Sequence, residues 1–300
     1  VSTTDSSVVV VTGANSGIGR ATALHLAGLG HTVWAGMRDL AKGDKLQALA
    51  SDADVTVHPL QLDVTDTASV ERAVETVVSE CGPVDVLVNN AGVGSNTAAE
   101  EITLAKAQAI MDTNLFGVWR CVHAVLPSMR QRRAGHIVQI SSIAGRLAIA
   151  AQPAYCASKF ALEAMSECLA AEVAAHGVRV TIVEPGVTRT PMLAKDVDVP
   201  VNSPYEDTYM RLFELYGSGI AANVRPERVA ETIAAALADT TGRLRWPCAW
   251  GGEEITTRRP LVNDEDYVGL GHLVADGPAW RARFEELLGV AIRPFTHDLA

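Results

Sequence analysis

The run Val8-Val9-Val10-Val11-Thr12 passes straight into Gly13-Ala14-Asn15-Ser16-Gly17-Ile18-Gly19, and a helical pattern follows from Gly17 to Leu29. Few folds accept that order. Five β-branched residues without a polar alternation predict a strand buried on both faces, because a strand with one wet face would alternate. Glycines at the turn let backbone N–H groups approach a pyrophosphate with no Cβ in the way. The start of the next helix adds partial positive charge. Gly13, Asn15, Ser16, Gly17, Ile18 and Gly19 are therefore the expected phosphate-binding turn of a dinucleotide site.

The same rhythm continues. Apolar runs at Thr32–Ala35, Val55–Leu62, Val84–Asn89, His136–Ser141 and Val178–Val183 predict further strands. Helical patterns at Ala41–Ala50, Ala68–Glu80, Leu104–Arg130 and Pro153–His176 separate them. Strand–helix alternation predicts an α/β fold, a doubly wound parallel sheet with helices on both faces. After Val183 the pattern changes. Residues 187–225 read as an insertion punctuated by prolines, Pro226–Asp239 as a helix and Arg243–Ala249 as a last strand. Residues 251–300 read as a polar tail with a terminal helix at Ala279–Leu288. No boundary divides the chain, so residues 1–300 are expected to form one domain.

Composition narrows the function. The chain carries 25 basic and 35 acidic residues, a formal charge of −10, which argues against a nucleic-acid partner. No apolar run approaches the roughly 18 residues of a membrane span. The polar residues 1–7 lack the features of a signal peptide. Five cysteines, odd in number and without metal-ligand spacing, predict free thiols in a reducing cytoplasm.

The ends of the later strands refine the cofactor. In Met37-Arg38-Asp39, after the second strand, Met37 stands eighteen residues beyond Gly19, where an acid would bind the ribose of NAD. Arg38 instead suits the 2′-phosphate of NADP. A one-residue slip that puts Asp39 on the ribose would leave NAD possible. Asp63-Val64 closes the third strand, where a carboxylate can accept from the adenine amino group. Asn90-Ala91-Gly92 closes the fourth, where small residues let a cofactor lie against the backbone.

Tyr155 and Lys159 stand four apart in a predicted helix and so share a face. A neighbouring ammonium stabilises a phenolate, and a phenol so tuned can exchange a proton with an alcohol or ketone. Ser142, thirteen residues before Tyr155, can donate to the substrate oxygen. Ser141 is expected to face the other way. Asn114 sits inside a long predicted helix, where Asn is mildly unfavourable, and it or a distortion it causes can place a water near Lys159.

In order and spacing these motifs resemble the short-chain dehydrogenase/reductase superfamily, and Pro185-Gly186-Val187-Thr188 matches its nicotinamide-carboxamide loop. The resemblance implies a Rossmann-type fold and NAD(P)-dependent chemistry on an alcohol or carbonyl. It makes Tyr155 the acid–base and gives Lys159 the nicotinamide ribose and the lowering of the phenol pKa. Ser142 orients the substrate, and Asn114 supports a water relay. Assembly as a dimer or tetramer is expected. The chain continues about fifty residues past the last strand, similar to the subset acting on steroids and retinoids. Tyr205, Tyr209, Phe213 and Tyr216 form one helical stripe that either packs the insertion down or lids the substrate beside Met192, Leu193 and Met210. Leu147 and Ile149 would extend an apolar wall. The expected substrate is a hydrophobic secondary alcohol or its ketone. A cofactor-sensing protein without turnover and a nucleotide-sugar epimerase are the other readings.

Overall fold

In the computed structural model, which describes residues 6–194 and 200–294, seven parallel strands form one sheet in the order β3-β2-β1-β4-β5-β6-β7. They are β1 Val8–Thr12, β2 Thr32–Met37, β3 Val57–Gln61, β4 Val86–Asn89, β5 Gly135–Ile140, β6 Val178–Pro185 and β7 Arg245–Cys248. The order reverses direction between β1 and β4, and ligands of open parallel sheets bind outside the carboxyl ends of the strands at such a point. Residues 1–5, part of the insertion, 195–199, and the end of the tail, 295–300, lie outside the described residues, and so do the readings made there.

Alternation along each strand feeds two cores. Val9 and Val11 of β1 pack with α1 (Gly17–Gly28), α2 (Asp44–Asp52) and α8 (Pro226–Ala238) through Leu26, Leu46, Val229 and Ile233. Val10 faces the other side, where Val77 of α3 (Thr67–Cys81), Val122 of α5 (Gly117–Arg132) and Leu169 of α6 (Pro153–Ala174) close the opposite layer. Each strand thus needs apolar residues at odd and even positions alike, which is why the runs do not alternate.

The predicted helix Leu104–Arg130 is not continuous. It is α4 (Leu104–Met111), a π turn at Asp112–Phe116, then α5. β3 stops at Gln61, so Asp63 and Val64 stand on the loop beyond it. Ala41–Ala50 begins as a short 3-10 turn, Leu40–Gly43, capped by Asp39, and becomes α-helical only at Asp44.

The largest correction concerns the end of the chain. Residues 252–294 are not a polar tail. They form α9 (Gly252–Arg258), α10 (Asp264–His272) and α11 (Gly277–Leu288). Ile255, Leu270, Trp280, Phe284 and Leu288 build a third core with Ile143, Leu147 and Leu215. Each helix is short and turns one apolar stripe inward, so its average composition looks polar. The insertion carries α7 (Glu206–Ala221), which supplies Leu215. Among the described residues no helix is long and apolar enough to cross a membrane.

Candidate active site

The glycine turn is built for close approach. Gly13 has φ +65, and a Cβ there would stand 2.8 Å from the Ala91 Cα. A Cβ on Gly19 would stand 2.6 Å from the Gly13 carbonyl oxygen. Ser16 is the N-cap of α1, yet its side chain makes no capping hydrogen bond. Its hydroxyl and the first N–H groups of α1 are uncommitted, the chemistry a pyrophosphate needs. Asn90 holds this turn to β4: its Nδ2 donates to the Thr12 carbonyl at 2.9 Å and the Gly13 carbonyl at 3.2 Å. Asn90 and Ala91 both donate their backbone N–H to the Thr12 hydroxyl.

At the end of β2 the three residues under discussion separate cleanly. Met37 is 1% exposed, with its sulfur beneath Gly43. Asp39 Oδ1 accepts from Ala41 N at 3.1 Å and so caps the 3-10 turn. Arg38 is exposed; its carbonyl accepts from Gln61 Nε2 at 2.7 Å, which fixes the backbone and leaves the guanidinium to solvent. Asp63 Oδ1 accepts from the Thr65 N–H and hydroxyl, holding the carboxyl at the same edge. The Val64 carbonyl accepts from Arg120 Nη1 at 3.1 Å.

A cleft of about 130 Å³ gathers residues from the ends of β4, β5 and β6 and from two helices: Ile18, Asn90, Gly92, Ser142, Tyr155, Lys159 and the whole Pro185–Thr188 loop line it. Pro185 ends β6, and Val187 is bridged to Trp250, which fixes that loop against the start of the C-terminal helices. Thr188 donates to the Gly186 carbonyl at 3.1 Å. Ser142 Oγ accepts from Ala144 N at 3.1 Å, so it caps the turn after β5, while its side chain also hydrogen-bonds the phenol of Tyr155. Ser141 turns away toward α6, its hydroxyl buried without a partner.

Lys159 is 5% exposed and donates to the Ile140 carbonyl at 2.8 Å. Its Nζ lies 5.8 Å from the Tyr155 ring centroid. Burial pulls the Lys159 pKa down to about 8, and Glu163 opposes that shift. Burial pushes the Tyr155 phenol up to about 12, and the Ser142 hydrogen bond works against it. Desolvation sets the direction of the Tyr155 shift, while the Lys159 ammonium is engaged with the Ile140 carbonyl. Asn114 stands in the π turn as expected of a distorting residue. Its side chain clamps the Val93 peptide, accepting from N at 2.8 Å and donating to O at 2.9 Å, and reaches Ser158.

Of the stripe on α7, Tyr209 is fully buried and donates its hydroxyl to Glu101, whereas Tyr216 lines the cleft. Tyr216 joins Asn96 and Gln152 in a polar cluster: its hydroxyl donates to Asn96 Oδ1 at 3.0 Å and accepts from Gln152 Nε2. Packing and lining are thus divided among the four aromatics. Met192, Leu193 and Ile149 border the cleft, while Leu147 and Met210 do not. Gln152 and Asn96 were not legible as site residues; Gln152 lies three residues before Tyr155, the one available hint.

A family model described as short chain dehydrogenase matches residues 7–199. This chain belongs to the short-chain dehydrogenase family. It is 38% identical over 250 residues to retinol dehydrogenase 8 of Bos taurus, covering 79% of this chain and 80% of that protein. A short-chain dehydrogenase from Streptomyces avermitilis superposes with a TM-score of 0.75 at 34% identity, covering 94% of this chain and 97% of that one. A metagenomic short-chain oxidoreductase in complex with NADP superposes with a TM-score of 0.65 at 28% identity, covering 81% of this chain and 97% of that chain. As a member of this family the chain is an NAD(P)-dependent oxidoreductase with a Rossmann-type fold and a C-terminal helical extension.

Proposed function

We propose that this chain is an NADP-dependent oxidoreductase, a single catalytic unit that interconverts a hydrophobic secondary alcohol and its ketone with Tyr155 as acid–base. One observation carries the reading: a single cleft brings Tyr155, Lys159 and Ser142 against the glycine-turn edge and the Pro185–Thr188 loop. Gly13–Gly19 would hold the pyrophosphate and Arg38 the 2′-phosphate. Asp63 and Val64 would flank the adenine, Asn90–Gly92 would border the cofactor along its length, and residues 185–188 would hold the carboxamide. The NADP complex of the metagenomic neighbour supports that cofactor. The nicotinamide supplies or accepts the hydride.

Every proton-handling step belongs to the chain. A phenol pushed up to about 12 carries its proton at neutral pH, the state in which it donates to a ketone oxygen. Ser142 gives that oxygen a second donor as negative charge develops on it. Lys159, anchored on the Ile140 carbonyl, supports the phenolate once the proton has left. Asn114, in the π turn, would support the water that restores it.

The apolar part of the substrate has room on one side. A second cavity of about 180 Å³, lined by Leu212, Leu270, Trp280 and Phe284, shares Ile149 and Leu215 with the catalytic cleft. A relative named for retinol is consistent with a bulky apolar substrate. The exposed Leu104, Phe116, Trp119 and Phe160 on neighbouring helices suit a homo-oligomer contact. Five free thiols fit a cytoplasmic enzyme. The test is NADPH oxidation with a panel of apolar ketones by the wild type and Tyr155→Phe. The variant should lose near-complete turnover and keep NADPH binding. Full turnover by the variant, or no oxidation with any ketone, refutes the proposal.

A further inference from the structure

Beneath the cleft lie two carboxylates that the reaction as described does not use. Glu163, one turn after Lys159 on α6, is 4% exposed, and Glu184, the last residue of β6 before Pro185, is 1% exposed. In each, Oε1 is buried without a hydrogen-bond partner. Buried carboxylates are rarely kept without charge partners. Here the partners come from two separate elements. Arg245 of β7 reaches Glu163 at 3.0 Å and Glu184 at 3.4 Å, and also pairs with Glu167. Arg146, which follows the Ser142 turn, reaches Glu184 at 3.7 Å.

The arrangement ties together the parts that touch the reacting groups. Arg146 closes the Ser142–Gly145 turn. Glu184 begins the Pro185–Thr188 loop. Glu163 shares a helix with Tyr155 and Lys159. The turn packs directly on that helix: a Cβ on Gly145 would stand 2.7 Å from Ser141 Oγ and 3.0 Å from Glu163 Cγ. Two segments that line the cleft are therefore joined through Glu184.

We propose that Glu184 is a positioning residue for hydride transfer: its carboxylate, held between Arg146 and Arg245, fixes the Ser142 turn relative to the nicotinamide loop, and Glu163 keeps Arg245 in line with it. The inference rests on the Tyr155 reading above. Its consequence is a pH dependence of known sign. Burial, then Glu163, push Glu184 up to about 7, while Arg146, Arg245 and Arg243 oppose the shift. The other titratable neighbours are Lys159 beside Glu163 and Cys248 on β7. Protonation of Glu184 removes its attraction for both guanidinium groups. Ketone reduction should therefore weaken as pH falls through about 7. Titration of Tyr155 or Lys159 acts in the other direction, since reduction loses a proton donor or its supporting charge as pH rises.

The experiment is the pH profile of kcat/KM for NADPH-dependent ketone reduction, with NADPH affinity measured separately by fluorescence. Glu184→Gln should abolish the limb near neutrality and lie about tenfold below the wild type when both are compared at pH 8. NADPH affinity should stay within twofold. Arg146→Ala, at a side chain 28% exposed, removes one cation and should move the limb to higher pH, while Arg146→Lys restores it. An unchanged limb in both Glu184→Gln and Arg146→Ala overturns the proposal, as does loss of NADPH affinity in step with kcat. Activity in Tyr155→Phe would instead overturn the underlying reading, so the two failures are distinguishable.

Discussion

Removing the Arg38 guanidinium tests the cofactor assignment at a single side chain. Of the three residues at the end of β2, Met37 is turned into the core and Asp39 is engaged with Ala41 N and, at 3.7 Å, with Lys42. Only Arg38 is exposed and unengaged through its side chain at the edge where an adenosine ribose would lie. A hydrogen bond to a charged group contributes about 1.5–3 kcal/mol. Exposure to solvent and salt puts Arg38 at the low end, about 1.5–2 kcal/mol. Arg38→Ala should therefore weaken NADPH by about 10- to 30-fold. NADH, which lacks the phosphate, should change by no more than about twofold, because no other contact is removed. Both affinities are read by fluorescence titration at two ionic strengths. The NADPH preference should shrink as salt rises, since a surface ion pair is screened. Wild-type protein that binds NADH as tightly as NADPH refutes the reasoning. So does a variant that loses both cofactors equally, because that pattern marks damage to the turn rather than loss of a phosphate contact.

Two further outcomes follow from the packing. Gly271 lines the second cavity, and a Cβ there would meet nothing within 4 Å, so Gly271→Leu should plug the cavity while favouring helix α10. Across a series of methyl ketones of rising chain length, each methylene kept out should forfeit about 0.8 kcal/mol, or about fourfold in KM; equal KM values for wild type and variant at every length would exclude the cavity from the substrate site. His136, 2% exposed and hydrogen-bonded to Thr181 at 2.8 Å, has its pKa lowered to about 3, first by burial and then by Arg179. The unfolded chain binds that proton first, so stability should fall as pH drops from about 6.5 toward 3, by up to about 5 kcal/mol at the acid end. His136→Gln should flatten this part of the acid-unfolding curve, and an identical curve would remove His136 as its cause.

What could be read from the sequence was local. A glycine turn, a strand run and a tyrosine four residues from a lysine each declare themselves within a dozen positions. Their chemistry depends on neighbours along the chain, and the predicted strands of the sheet recur with ends displaced by a residue or two. The interruption of the long helix was legible only as a possible distortion at Asn114, because a single π turn leaves the apolar spacing on either side intact. Nor was the third core. Its residues are spread from Ile143 to Ile292, and each short helix contributes only a few of them. The Arg245–Glu163 pair spans 82 positions and exists only because β7 lies beside β6 and over α6.

Several residues that break local rules stand near the site. Asn114 is a poor helix residue and sits in the π turn beside the cleft. Glu184 is a poor residue for a buried strand and lies one position before the Pro185–Thr188 segment of the cleft. Glu163 is a poor residue for the inner face of α6 and follows Lys159 by one turn. Gly186 interrupts the chain after β6 where a Cβ would overlap the Trp250 carbonyl at 1.8 Å. The three polar residues cost stability where they stand, and an ordinary core would replace them with apolar ones. Natural sequences break local rules mainly where function needs the exception. Gly186 lines the cleft, Glu184 adjoins the Pro185–Thr188 segment that lines it, Glu163 follows Lys159 by one turn, and Asn114 clamps Val93, which argues that these exceptions serve the site and not the stability of the sheet.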